Sequence, residues 1–157
     1  KIKGNKSEFL NSFAGWNEEL LSMFDSSQEI YKWGIFERPL PKKLYRDKCL
    51  LLGDAAHPMA PFLGQGGCLA IEDAYCLASL IKDKEDLNII VRKYDRLRNS
   101  RSRWIQKRSK LQGIFNHVSN PILAKIRNLV TKIIMNNSVN KLHSYNLIKE
   151  LSELKKI

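Results

Sequence analysis

The sequence has no uninterrupted apolar run of about 18 residues, so no segment reads as a helix able to cross a bilayer. No secretory signal pattern is visible. The three cysteines, Cys49, Cys68 and Cys76, form no Cys-x-x-Cys pair. That argues against a disulfide framework and favours a reducing, cytoplasmic compartment. The three histidines, His57, His117 and His143, lie far apart, with no second ligand at a spacing of about three to five residues, so no metal site is expected. Phosphate-binding glycine motifs are also missing. No Gly-Lys-Ser/Thr follows the glycines, and no GxGxxG stands directly behind a strand. Internal repeats and low-complexity tracts are absent too.

What is present is a chain of 157 residues with 43% hydrophobic content, enough for one ordinary folded domain. Lys1 opens it on a polar patch, and a piece of a longer protein is the expectation. The net charge of +11 suits a polyanionic partner, nucleic acid or an anionic membrane, or simply a solvated basic helix face. Periodicity predicts a helix from Ser7, as its cap, to Phe24, a strand over Ile30–Phe36, and a short strand over Lys48–Leu52 covered on both faces. A helix follows over Gly67–Ile81, and a long one over Leu87 to about Val118. Pro121 starts another, reaching about Met135, and a weakly helical tail spans Val139–Leu154. In the long helix Tyr94, Leu97, Trp104 and Ile105 share a face. Most of the cations of Arg92–Lys110 fall opposite, which reads as a wet basic side rather than a nucleic-acid surface.

The stretch Gly53–Ala74, GDAAHPMAPFLGQGGCLAIEDA, carries the chemistry. Asp54 stands where an apolar strand emerges. Its carboxylate can accept from the hydroxyls of a sugar or polyol, or cap its own loop as an Asx-turn. Gly64-Gln65-Gly66-Gly67 leaves backbone N–H groups bare at a helix start, suited to a flat or anionic ligand, or serves as a plain glycine turn. His57 reads as a structural loop residue. Glu72 and Asp73 read as dipole-complementing support rather than an acid–base pair.

This stretch closely resembles the second flavin-binding motif of the FAD-dependent aromatic-ring hydroxylases, the single-component flavoprotein monooxygenases. Its wording is closest to the zeaxanthin epoxidase and salicylate hydroxylase-like members. FAGW at Phe13–Trp16, LYRDKCLLLGD and YDRLRNSRSRWIQKRS are similar to the family's flanks, and the resemblance covers Phe9 to about Ser109. It implies an α/β, helix-rich fragment, the C-terminal part of a GR2-type FAD-binding fold. Residues 1–38 would end the substrate-binding domain, 39–118 would form the second half of the FAD-binding domain, and 119–157 a helical tail. It implies that Asp54 bonds a ribityl hydroxyl of FAD and that the Pro61 backbone lies beside the isoalloxazine. It implies that Gly64, Gln65, Gly66, Gly67 and the Cys68 amide face the flavin's pyrimidine edge. Cys68 departs from the asparagine of the hydroxybenzoate branch, so a side-chain amide contact is lost.

The implied reaction uses NAD(P)H to reduce FAD. A flavin C4a-hydroperoxide then inserts one oxygen atom of O2 into an organic substrate by hydroxylation or epoxidation, with no catalytic side chain assigned. The missing partner is the N-terminal half that carries GxGxxG, and the chain alone is expected to bind FAD weakly. Alternatives are a flavoprotein reductase or oxidase on the same fold, or a non-enzymatic basic module that binds membrane or nucleic acid. The apolar stripe Ile122, Leu123, Ile126, Leu129, Val130, Ile133 and Ile134, flanked by Lys125, Arg127 and Lys132, allows peripheral membrane contact through 121–135 and a lipophilic substrate.

Overall fold

A buried stripe and a polar rail organise the larger part of the molecule. The computed structural model describes residues 2–154, without the side chains of 132–138. Lys132, Ile133 and Ile134 of the expected amphipathic stripe therefore lie outside the described residues. The chain divides into two compact units, Lys1–Ile35 and Phe36–Ile157.

In the first unit, β1 (Ile2–Lys3) pairs antiparallel with β2 (Tyr31–Lys32), in the register Ile2 to Lys32 and Lys3 to Tyr31. Between them lie α1 (Lys6–Asn11) and α2 (Glu18–Asp25). The single helix expected from Ser7 to Phe24 is therefore two. Gly15 adopts φ 82°, a left-handed conformation that ends helical progress, and Asn17 caps the restart through its side chain to Glu19 N–H. Ser7 is not the first cap. Asn5 is, accepting from the N–H groups of Ser7 and Glu8. Phe13 meets Phe9, Trp16 and Phe24 with ring centroids 4.9–5.0 Å apart, a small aromatic cluster beside the ribbon. The strand expected over Ile30–Phe36 shrinks to Tyr31–Lys32, and Trp33 and Ile35 stay exposed.

In the second unit, β3 (Tyr45–Arg46) and β4 (Cys49–Leu50) form a tight antiparallel hairpin, with Asp47 at φ 51° in its turn. The expected strand Lys48–Leu52 is thus shorter, and it is not covered on both faces, since Cys49 is exposed. Two 3-10 turns follow, Gly53–Ala55 and Pro61–Leu63. Then come α3 (Gly66–Lys82), α4 (Leu87–Asn116), α5 (Pro121–His143) and α6 (Leu147–Leu154). Asp86 caps α4 and Asn120 caps α5, the latter with Pro121 at the first helical position, where its missing N–H costs nothing. α5 runs eight residues past its expected end near Met135.

The core gathers Leu40, Leu44, Ala56, Cys76, Leu80, Ile90 and Tyr94 with Leu147, Leu151 and Leu154 of α6. Each fully buried leucine contributes about 1.5–3 kcal/mol. One side of α4 acts as a rail for the segment before the hairpin. Asp95 accepts from Leu44 N–H at 2.7 Å, Asn99 donates to Lys42 O at 3.0 Å, and Arg103 donates to Pro41 O at 3.0 Å. The basic side of this helix is therefore not uniformly wet. Arg98 is 0% and Arg101 9% exposed, because both are ion-paired inside. Among the described residues no helix is long and apolar enough to cross a membrane.

Burial sets the thiol chemistry. Cys76 is fully buried, and burial pushes its thiol up to about 11, whereas Cys49 and Cys68 are exposed. Ellman titration at neutral pH should label Cys49 and Cys68 in the native state and Cys76 only on unfolding. Equal labelling of all three would contradict the packing of α3.

Candidate functional site

The buried stripe of α3 is Leu69, Asp73, Cys76 and Leu80, spaced four, three and four residues apart. Three members are apolar, and the fourth is a carboxylate with 0% exposure. An unpaired buried carboxylate costs several kcal/mol, so its partners decide the local structure. Arg98 Nε donates to Asp73 Oδ1 at 2.7 Å, and Gly53 N–H donates to Oδ2 at 2.9 Å. His57 Nε2 lies 2.7 Å from the same Oδ2 and supplies the proton of that bond, because a carboxylate only accepts. Arg98 Nη1 also meets Glu72 at 2.8 Å, and Arg101 meets the other Glu72 oxygen at 3.2 Å. Two guanidiniums thus face two carboxylates, and the group is neutral as a whole. Burial opposes ionisation of Asp73. The hydrogen bonds from His57, Arg98 and Gly53, with the charge of Arg98, outweigh it and hold the carboxyl below its ordinary range.

This network fixes the strand exit. Gly53 sits at φ 55°, and a Cβ there would stand 3.3 Å from Ala70 Cβ. Gly53 therefore touches α3 at Ala70 and, one turn on, at Asp73. The next residue, Asp54, is exposed. Among the described residues its carboxylate has no hydrogen-bond or ionic partner, and the Gly53–Ala55 turn has no side-chain cap. The Asx-turn use of Asp54 is not what the structure displays.

The loop after it is strapped to α4. Gln106 donates to Pro58 O at 3.0 Å and Ser109 to Ala60 O at 2.6 Å. At Gly113 the Phe62 ring lies so close that a Cβ would come within 2.4 Å of it. Pro61, exposed, opens the second 3-10 turn, which Gly64 ends in the left-handed region at φ 62°. α3 then starts with Gln65 as its cap residue but without a side-chain cap. A Cβ on Gly66 or Gly67 would meet no atom within 4 Å. Among the described residues no acceptor reaches the N–H groups of Gly66, Gly67 or Cys68. The start of α3 thus offers free donors and the positive end of a 17-residue helix dipole.

Of the residues expected to form a site, Gly64, Gln65, Gly66, Gly67 and Cys68 make one continuous bare turn, with Cys68 exposed. Asp54 flanks the same helix through the Gly53–Ala70 contact. Pro61 lies on the connecting loop. Asp73, Arg98, Gln106, Ser109 and Gly113 also position the site, a role that did not show in the sequence. A sign of burial was readable for Asp73 and Arg98, since an acid and a cation each occupy a buried-stripe position. No grouping of three or more His, Cys, Asp or Glu that could hold a metal occurs among the described residues.

Several known proteins are similar to this chain. Residues 21–86 match the family described as FAD binding domain. The chain is 38% identical over 103 residues to 3-amino-4-hydroxybenzoate 2-monooxygenase of Streptomyces platensis, covering 65% of this chain and 26% of that protein. It is 40% identical over 83 residues to 6-hydroxynicotinate 3-monooxygenase of Pseudomonas fluorescens, covering 52% and 21%. With zeaxanthin epoxidase of Solanum lycopersicum it shares 42% over 77 residues, covering 48% and 12%. The chain thus spans about a quarter or less of the length of these curated relatives. Among solved structures, a salicylate hydroxylase substrate complex matches with TM-score 0.73 and 25% identity, covering 94% of this chain and 37% of that one. HpxO of Klebsiella pneumoniae, complexed with FAD and uric acid, shares the fold at TM-score 0.73 and 22% identity, covering 97% and 40%. The resemblance to FAD-dependent monooxygenases therefore holds in sequence, and the helix-rich architecture is that of a fragment of their fold.

The buried pair makes a stability prediction. Asp73→Ala leaves Arg98 Nε, Gly53 N–H and His57 Nε2 without their buried acceptor and should cost about 3–5 kcal/mol in denaturant unfolding. Because the folded pKa of Asp73 is depressed, its contribution is full above the unfolded value of about 3.9 and is lost as pH falls below it. The variant's deficit should therefore shrink below about pH 4. A deficit under about 1 kcal/mol at pH 7, the range of an exposed pair, would remove the pair from its central place.

Proposed function

We propose that Gly53–Cys68 forms part of the FAD site of a flavin-dependent monooxygenase and that the remainder of that site is supplied outside this chain. On this reading the chain is the C-terminal part of a GR2-type FAD-binding fold. Residues 1–38 close the substrate-binding domain, 39–118 form the second half of the FAD-binding domain, and 119–157 are a helical tail. The observation that carries the reading is the bare start of α3, where two glycines face open space with unpartnered N–H groups beside the anchored Gly53–Asp54 turn.

The residues fit the group chemically. Asp54, an acceptor without a partner, suits a hydroxyl of the ribityl chain. Pro61 on the loop crest would lie along the isoalloxazine, where a ring offers shape and no competing N–H. The amides of Gly66, Gly67 and Cys68, with the dipole of α3, would face the pyrimidine edge and favour negative charge there. Gly64 and Gln65 shape the turn that aims them. When bound, FAD would supply electron transfer from NAD(P)H and activation of O2, with one oxygen atom delivered to a small organic substrate. The chain's own part is binding, orientation and exclusion of water.

A second feature favours peripheral contact with an anionic membrane. Ile122, Leu123, Ile126 and Leu129 are 54–71% exposed on α5, beside Lys125. Such a face suits the interfacial zone of a bilayer.

Two measurements test these readings in the protein expressed from its full reading frame. Asp54→Ala should lower FAD affinity about tenfold, the loss of roughly 1.4 kcal/mol of hydrogen bonding, with Asp54→Asn milder. Undiminished flavin retention by Asp54→Ala contradicts the site. In co-sedimentation with phosphatidylglycerol vesicles, binding should be salt-sensitive and weaken several-fold in Ile126→Asp. Absence of salt-sensitive binding removes the membrane contact.

A further inference from the structure

Between α4 and α5 lies a cavity of about 360 Å³ with a nearly wholly apolar wall that includes Leu63, Leu111, Phe115, Val130 and Leu142. Beside it, where α4 faces the end of α5 and the start of α6, a second cavity of about 520 Å³ is lined by Arg96, Arg101, Lys141 and Lys149, with Glu150 as its acid. Trp104 lines both. Its ring is flanked by cations, Arg108 at 5.6 Å and Lys141 at 5.4 Å from the centroid.

The charge around the two cavities is predominantly positive. Between Arg96 and Lys149 the sequence holds twelve lysines and arginines and no aspartate or glutamate. Arg101 is neutralised by Glu72, and Lys149 lies 3.9 Å from Glu153 at the surface, a spacing worth little. Arg96 and Lys141 have no carboxylate partner among the described residues. Ser100, Ser144 and Asn146 add hydrogen-bonding groups to the same wall. An apolar hollow adjoining a cationic, hydrogen-bonding hollow is complementary to one kind of molecule. Its tail would leave water in the first hollow, and its charged head would be matched in the second.

We propose that this pair of cavities is a binding site for a single-chain amphiphile with one anionic head, an alkyl phosphate or long-chain carboxylate. The tail lies among Leu111, Phe115, Val130 and Leu142, and the head meets Arg96 and Lys141 across the edge of Trp104. The site stands independently of the flavin reading. It is also distinct from the exposed face of α5, since its apolar part is an open hollow between two helices and takes a monomeric ligand.

Isothermal titration calorimetry with dodecyl phosphate below its critical micelle concentration, on the protein expressed from its full reading frame, tests the proposal. Saturable one-to-one binding is expected, with dodecanol and inorganic phosphate each at least tenfold weaker. Lys141→Glu and Leu111→Gln should each weaken dodecyl phosphate at least fivefold while far-UV dichroism and the melting midpoint stay those of the parent. Equal affinity for dodecanol, equal affinity for inorganic phosphate, or no saturable binding overturns the site with the unmodified protein alone. Unchanged affinity in both folded variants overturns it as well.

Discussion

A single buried carboxylate sets the geometry of the region. Asp73 occupies a position on α3 where an apolar side chain would be the simple choice, and its three hydrogen bonds tie together a helix, a strand exit and a second helix. The arrangement is costly to break, because any partner removed leaves a charge or donor stranded in a dry interior. It is also directional. Packing leucines could hold α3 and α4 together, but only an acceptor at this point can fix the Gly53 N–H and so the direction in which Asp54 leaves the strand. That directionality is the structural counterpart of the flavin role proposed for the turn.

The second constraint is α4, which serves as a scaffold along most of its length. Asp95, Asn99 and Arg103 hold the backbone of 41–44, while Gln106, Ser109 and Gly113 hold 58–62. The loop that precedes α3 therefore lacks regular secondary structure without being loosely attached. Its carbonyls are paired by side chains from a helix, as buried backbone requires. The result leaves the N–H groups at the start of α3 with no task inside the protein, while nearly every neighbouring polar group has one.

Much of this was legible in the residues. The helices α3 and α4 announced themselves by three-and-four spacing, with bounds within two residues of those found. The bare glycines and the acid after Gly53 stood out as ligand-binding candidates, with a plain glycine turn and an Asx-turn as the fold-building alternatives. The short strands were not legible, because two-residue ribbons carry too little alternation to read, and the break at Gly15 was hidden by apolar residues that stay in helical phase across it. Two cations of α4 were also missed. Arg98 and Arg101 fall at helical spacing among Tyr94, Leu97 and Ile105, on the apolar face and not the wet one, and are buried there. A pattern of residue types cannot say that Glu72 and Asp73, some 25 residues earlier in sequence, will arrive opposite them.

Asp73 locks the Gly53 turn while the amides at the start of α3 stay free for a ligand. Amide hydrogen exchange read residue by residue in NMR tests it most directly. The Gly53 amide should be protected to nearly the level of the most stable core amides, with Gly66 and Gly67 exchanging near the rate of an unstructured peptide until FAD is added and slowing when it binds. Fast exchange at Gly53, or protection of Gly66 and Gly67 without any ligand, would contradict it.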